Sequence, residues 1–236
     1  MKRPTQLNKI HHMDCIDGIK EIPSGSVNLI VTDPPYFLGM THNGQKGTMT
    51  DLAICRPFFE TLFKEFNRVL TPDGKVYFFT DWRGYAFYYP ILAQPIPVKN
   101  LLVWDKVSGA GNNYAFHHEL VIFGAKSPVN IGGSNVIRLK GFSGGAKRTN
   151  GEKVHPTQKP VEIIEKFILD ASKEGDTVLD CFMGSGTTAV ACVRTGRNYI
   201  GFEIQEKYIE IALDRLRIEK ENQKLPFSSV GKPERV

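Results

Sequence analysis

A chain of 236 residues with 41% hydrophobic and 23% charged residues has the composition of an ordinary globular protein, long enough for one well-filled core. No apolar run reaches the ~20 residues of a membrane-spanning helix, and Met1-Lys2-Arg3-Pro4 leads into polar sequence, so neither a signal peptide nor a membrane span is expected and the cytoplasm is the expected location. The net charge of +5 is modest; Cys15, Cys55, Cys181 and Cys192 show no Cys-x-x-Cys spacing, which argues against a disulfide framework or a zinc ribbon and predicts reduced, buried thiols.

In chain order, the apolar run Val27 to Thr32 predicts a buried strand. It leads into Asp33-Pro34-Pro35-Tyr36. Two prolines cannot extend a sheet ladder or donate N–H groups, so the chain leaves the strand as a stiff loop whose carbonyls are free to accept hydrogen bonds. Asp33 adds an anionic acceptor and Tyr36 a stacking face, together a pocket for a flat ring bearing an amino group; a plain Pro-Pro turn is the alternative. Residues 37–56, with Gly39, Gly44 and Gly47, predict a mobile loop beside that tetrapeptide.

Pro57 to Leu70 predicts a helix with Phe58, Leu62, Phe66 and Val69 on one face, and Pro72-Asp73-Gly74 a turn. Lys75 to Thr80 predicts a strand, as do Leu101 to Trp104 and Leu120 to Phe123, where helix and strand are hard to separate at this length. The aromatic run Tyr85-Ala86-Phe87-Tyr88-Tyr89 reads as core, with a contact between protomers as the alternative. Between Lys126 and Lys153 the chain carries Lys126, Arg138, Lys140, Lys147, Arg148 and Lys153 against one acid, Glu152, in a Gly-, Ser- and Asn-rich setting. That is either a solvated loop or a nucleic-acid contact.

Beyond it, Pro160 to Ser172 predicts an amphipathic helix with Pro in its first turn, Thr177 to Cys181 a strand, Gly184 to Thr195 a glycine turn and helix, Asn198 to Glu203 a strand and Gln205 to Arg217 a helix. Residues 221–236 are expected to fray. Repeated strand and helix alternation predicts an α/β fold with a mostly parallel sheet. The whole chain, 1–236, reads as one domain in which 126–153 is an insertion.

Asp180 to Ala189 combines a strand end, a glycine turn and a helix start, which lets backbone approach an adenosine-type ligand closely, and Glu203 ends the next strand, where an acid can accept ribose hydroxyls. Gly184, Gly186 and Ala189 satisfy G-x-G-x-x-A, so an NAD-dependent oxidoreductase is one reading. The turn lies in the last quarter of the chain, leaving few residues for a second nucleotide half, and a smaller adenosine ligand fits better.

Taken together, Asp33-Pro34-Pro35-Tyr36, the run His155-Pro156-Thr157-Gln158-Lys159-Pro160, the glycine turn from Asp180 and Glu203 resemble the β-group of S-adenosylmethionine-dependent DNA amino-methyltransferases. The order is that of this family, catalytic motif before cofactor motif with target recognition between them, and the resemblance spans roughly residues 8 to 217. It implies a Rossmann-like methyltransferase fold with 126–153 as target recognition region. It also implies that Asp180, Phe182, Gly184, Gly186 and Thr187 line S-adenosyl-L-methionine, that Glu203 binds its ribose, and that Thr157 and Lys159 hold its methionine carboxylate. Asp14 matches an acidic position that meets the adenine of the cofactor, and is equally suited to cap a helix. His118-Glu119 lies near a further family motif bordering the base pocket, with a fold-stabilising histidine as the alternative. His11-His12 and His117-His118 lack a third ligand at metal-site spacing.

The reaction so implied is methyl transfer to an exocyclic amino group of a base flipped from double-stranded DNA, with Asp33, Pro34, Pro35 and Tyr36 as catalytic residues and Arg138, Lys140, Lys147 and Arg148 as DNA contacts. No cysteine follows the Pro-Pro pair, which disfavours attack on cytosine C6 and hence carbon-5 methylation. The Asp-led tetrapeptide leans in this family toward adenine N6; cytosine N4 is the nearest alternative, and an RNA or protein-amide methylase or a non-catalytic DNA-binding module is more remote. A homodimer and a cognate restriction endonuclease are the further partners the resemblance suggests.

Overall fold

A computed structural model describes residues 5–35, 41–42, 45–46, 52–107, 109, 114–141, 148–149, 152–153 and 158–224. In chain order its elements are β1 (Lys9–His12), α1 (Cys15–Lys20), β2 (Val27–Thr32), β3 (Thr41–His42), β4 (Gln45–Lys46), α2 (Leu52–Val69), β5 (Leu70–Thr80), α3 (Trp82–Leu92), β6 (Val98–Asp105), β7 (His118–Ala125), β8 (Val136–Arg138), β9 (Arg148–Thr149), β10 (Glu152–Lys153), α4 (Val161–Ala171), β11 (Thr177–Asp180), α5 (Thr187–Thr195), β12 (Asn198–Glu203) and α6 (Glu206–Lys224).

Eight strands make one sheet in the order β1-β12-β11-β2-β5-β7-β6-β8, while β3–β4 and β9–β10 are separate two-stranded ladders. From β1 to β5 all neighbours are parallel; β7 runs antiparallel to β5 and β6, and β8 runs parallel to β6. This is the mostly parallel, Rossmann-like sheet that the alternation of elements predicts. After β2 the chain builds outward through β5, and after β11 it builds the other way through β12. Ligands in such sheets bind beyond the carboxyl ends of the strands at this reversal. Here it lies between β11 and β2, whose paired residues are Val178 with Leu29 and Leu179 with Ile30.

The strands alternate their apolar side chains between two covered faces. Ile30, Val76, Phe78 and Leu179 face one core with α1, α2 and α3, where Phe59, Phe63 and Tyr88 meet Phe78 edge to face. Leu29, Val31, Tyr77, Phe79 and Val178 face the other, with α4, α5 and α6. There Tyr77 stacks on Phe167 of α4 at 4.3 Å and on Phe123 at 4.8 Å.

Several boundaries differ from the sequence expectations for local reasons. The Pro72-Asp73-Gly74 turn sits inside β5 as an irregularity, because β2 pairs Val27 with Leu70 and then Leu29 with Lys75. Helix α2 begins at Leu52, so the end of the expected 37–56 loop is helical and Pro57 lies inside the helix, where it cannot donate to the carbonyl four residues before it. Helix α6 continues through 221–224, residues expected to fray; the rest of the tail lies outside the described residues. Phe87 and Tyr88 of the aromatic run are core residues of α3, a helix capped by Asp81, whose carboxylate accepts from the Arg83 and Gly84 N–H groups. The four cysteines are free and buried.

The basic stretch is not one uniform loop. Lys126 lies at the end opposite to the carboxyl ends of the parallel strands, donating to the Asn67 and Leu70 carbonyls at 2.9 and 3.0 Å, and so ties down the end of α2. Val129, Ile131, Ile137 and Leu139 pack against the second core, and Val136 to Arg138 adds strand β8 to the sheet.

Asp180 ties the sheet together at its reversal. Its carboxylate is buried and accepts from Thr32 Oγ1 at 2.8 Å, Thr188 Oγ1 at 2.6 Å and the Phe182 N–H at 3.0 Å, joining β2, the glycine turn and α5. Burial pushes its carboxyl up from 3.8 to about 6; the three donors hold that rise back and nearby Asp33 adds to it.

Two expectations follow from this packing. Phe167→Ala should lower folding stability by about 3–5 kcal/mol, whereas Leu169→Ala, at a 58% exposed position of the same helix, should change it by no more than about 0.5 kcal/mol, both read by chemical denaturation. Because the folded pKa of Asp180 is raised, its contribution is complete below about pH 4 and is lost as pH rises through about 6. The stability of the wild type relative to Asp180→Asn should therefore fall by roughly 3 kcal/mol across that window; a flat difference would mean an ordinary carboxyl.

Candidate active site

The carboxyl ends of β1, β12, β11, β2 and β5 bring His12, Glu203, Asp180, Thr32 and Thr80 to one edge of the sheet. The antiparallel β7 starts at that edge with His118, and β6 and β8 end there with Asp105 and Arg138. Motifs far apart in sequence are thus assembled by topology alone.

Asp33 follows directly on β2, partly buried, with Pro34 buried and Pro35 exposed. Its Oδ2 accepts from Lys159 Nζ at 2.5 Å, and the same ammonium lies 3.1 Å from Glu119 Oε2 and over the Phe79 ring at 5.3 Å. Glu119 Oε1 meets Lys106 Nζ at 3.3 Å. Burial pulls the Lys159 ammonium down, but Asp33 and Glu119 outweigh it and leave its pKa raised, so the lysine is charged. Lys159, carried over as a ligand of the cofactor carboxylate, thus stands against two protein carboxylates.

The neighbouring strand end carries the glycine turn. Gly186 has φ of 81°, and a Cβ there would meet Ala212 Cβ of α6 at 2.7 Å, so only glycine lets α6 pack against this turn. Gly184 has φ of 51°, and a Cβ built on it would meet nothing closer than the Phe182 carbonyl oxygen at 3.9 Å, an ordinary van der Waals contact, so the backbone conformation and not crowding favours glycine there. Glu203 sits at its side, its Oε2 accepting from the Gly184 N–H at 2.8 Å and its Oε1 from the Gln205 N–H at 2.9 Å. Each of these oxygens retains a second lone pair with which to accept a hydroxyl. Phe182 is half-buried against Phe58, and Thr187 is buried at the start of α5. Ser185 Oγ donates to Gln158 Oε1 at 3.4 Å, which brings the segment before α4 against the turn.

Asp14 takes the capping role that the sequence allowed: its Oδ1 accepts from the Ile16 N–H at 2.8 Å at the start of α1. It is exposed at the same edge, one strand beyond Glu203. His118 is exposed, while Glu119 beside it is drawn into the Lys159 pair. His12 Nε2 lies 3.0 Å from the Ile204 carbonyl and His11 Nε2 3.1 Å from that of Gln6, so both imidazoles serve the backbone.

Arg138 and Lys140 are exposed at this edge, Arg138 with Asp105 at 3.6 Å. Arg148 stands in β9, and its side chain, like Tyr36, Thr157 and Lys147, lies outside the described residues. Trp82, Tyr114 and Phe116 are exposed on segments next to the same edge.

Two contributors escaped the sequence reading. Arg215 of α6 donates to the Ser185 carbonyl at 2.6 Å and to Thr187 Oγ1 at 3.2 Å, fixing the glycine turn from behind; burial brings its guanidinium down to about 10. Its signal was present, since it lies between Ala212 and Leu216 on the apolar face of that helix. Lys106 follows β6 and reaches Glu119 only because β6 and β7 pair, which nothing local announces.

Comparison with known proteins agrees with this geometry. A family model described as DNA methylase, N6_N4_Mtase, matches residues 27–214. The chain is 32% identical over 230 residues to the Type II methyltransferase M.HpaI of Haemophilus parainfluenzae, covering 86% of this chain and 72% of that protein. It is 31% identical over 251 residues to the Type II methyltransferase M.HinfI of Haemophilus influenzae, covering 92% and 70%. Among solved structures, the M1.HpyAVI–SAM complex superposes with a TM-score of 0.66 at 26% identity, covering 88% of this chain and 98% of that one. PvuII DNA methyltransferase, cytosine-N4-specific, reaches 0.70 at 18% identity over 90% and 87%, a likeness of fold. The glycine turn thus belongs to a methylase rather than to an oxidoreductase, and the chain is a member of the N6/N4 DNA methylase family.

Proposed function

We propose that this methylase transfers a methyl group from S-adenosyl-L-methionine to the N6 amino group of adenine in double-stranded DNA, at a specific site and on a base flipped out of the duplex. One observation carries the reading: Asp33 and the glycine turn stand at the ends of the paired strands β2 and β11, tied by Thr32 and Asp180. An amino group held at Asp33 and a ligand held at the turn would then be neighbours.

The residues fit the adenosyl group. The uncrowded Gly184, the two spare lone pairs of Glu203 and the flat Phe182 suit an adenosine, with Asp14 placed toward its base. The solved complex of M1.HpyAVI with SAM adds support. When bound, the sulfonium supplies an electrophilic methyl.

The amino lone pair of adenine is delocalised into the ring and must be localised. Asp33 and the Pro34 carbonyl accept the two amino hydrogens and favour a pyramidal nitrogen, while Tyr36 stacks on the base. The rate gain comes from positioning and preorganised electrostatics, with no covalent enzyme intermediate. Because the target inside a duplex is out of reach, the base must leave the stack at a cost of a few kcal/mol. Arg138, Lys140, Lys147 and Arg148 supply phosphate contacts that position the duplex. The Asp-led tetrapeptide favours adenine N6. The Type II relatives are consistent with a partner restriction endonuclease, and a homodimer is what the family resemblance suggests.

The test is to incubate the protein with unmethylated DNA and S-adenosylmethionine, digest to nucleosides and identify the methylated base by mass spectrometry. N6-methylation of adenine is expected; N4-methylation of cytosine would keep the mechanism and change the base. No methylation despite cofactor binding would point to another substrate or a missing partner. Replacing both Arg138 and Lys140 by Ala should weaken DNA binding and lower the slope of log affinity against log salt by up to about 2, measured by fluorescence anisotropy. An unchanged slope would return these residues to a solvated loop.

A further inference from the structure

The reaction needs Asp33 ionised and in one orientation, yet the carboxylate lies in a partly buried position close to another acid. Asp180 is near enough to feel its charge, and so is the Tyr88 hydroxyl across the first core. A negative charge on Asp180 opposes one on Asp33, whereas Tyr88 faces it as a neutral hydroxyl. Lys159 supplies the opposing charge. It is 7% exposed and is clamped by carboxylates of two strands, Asp33 at the end of β2 and Glu119 in β7, above the Phe79 ring of β5. Glu119 is itself held by Lys106 after β6. The charged groups gathered around Asp33 thus include Lys159, Glu119 with its partner Lys106, and Asp180, and Asp81 acts on the same neutral Tyr88 hydroxyl as Asp33 does. A lysine that only awaited a carboxylate of the cofactor would have no need of two protein carboxylates on separate strands.

We propose that Lys159 is a positioning residue for the catalytic carboxylate, holding Asp33 charged and in one orientation, with Glu119 as the anchor that fixes the ammonium from the far side. The inference rests on the proposed role of Asp33. It gives Glu119 a competing effect, because that carboxylate draws on the same ammonium and adds negative charge beside Asp33. Removal of Lys159 and removal of the Glu119 charge should therefore move the titration of Asp33 in opposite directions.

The experiment compares the wild type, Lys159→Met and Glu119→Gln, each first checked for a cooperative thermal transition. S-adenosylhomocysteine affinity is measured by calorimetry, and the single-turnover methyl-transfer rate is followed across the acidic pH range. Lys159→Met should leave that affinity within about threefold, lower the transfer rate by about 100-fold, and move the acidic limb of the pH profile to higher pH. Glu119→Gln should move the same limb to lower pH. Should Lys159→Met not fold, the direction of the Glu119→Gln shift still decides, because loss of a merely structural contact would leave the limb in place. A tenfold or greater loss of S-adenosylhomocysteine affinity in Lys159→Met with an unmoved limb would overturn the inference and return Lys159 to the cofactor carboxylate. Shifts of both variants in one direction, or in neither, would overturn it as well. A wild type that binds S-adenosylhomocysteine but transfers no methyl group to DNA would instead fail the reading of the active site, and the inference with it.

Discussion

The buried carboxylate of Asp180, with donors from Thr32, Thr188 and the Phe182 N–H, is the constraint on which the site depends. It joins the strand that delivers Asp33 to the strand that delivers the glycine turn, and it anchors the helix that starts from that turn. An ionisable group in such a place is costly unless its lone pairs are met. Three donors meet it, and none of them can be removed without either exposing the carboxylate to an apolar core or loosening the relation between the two strand ends. The distance from an amino acceptor to the cofactor turn is thereby written into the core of the sheet rather than left to loops.

Around this knot the fold arranges charge in layers. Glu203 ties the glycine turn from one side and Arg215 from behind, while Lys159 and Glu119 stand beside Asp33. Parallel strands make this economical, since each βα connection returns the chain to the same edge and each strand end can add one polar residue there. The antiparallel β7 joins the same edge from the opposite chain direction, which is how Glu119 comes to face a residue 40 positions later in the sequence.

Much of this was legible in the amino-acid order. Strands such as Val27 to Thr32 and Asn198 to Glu203 are short apolar runs bounded by breakers, and buried parallel strands leave that signature. The glycine turn was readable because Gly186 is demanded by backbone conformation and by the approach of Ala212 together. Less could be read where the outcome depended on long-range pairing. The basic stretch looked uniform in composition, yet Lys126 caps the end of α2 at the far side of the sheet and Val136 to Arg138 extends the sheet, because β6 offers an edge that only the assembled fold reveals. Lys159 read as a ligand for the cofactor carboxylate. Its contacts with Asp33 and Glu119 were not legible, because they are set by strand order, which spacing in one dimension does not encode.

The most direct test of the account replaces Asp33 by Ala and measures S-adenosylhomocysteine binding and methyl transfer on the same preparation. The account predicts that binding survives, because the glycine turn, Glu203 and Arg215 are untouched, while methyl transfer to DNA is lost. Retained transfer, or loss of binding and transfer in equal measure, would contradict it.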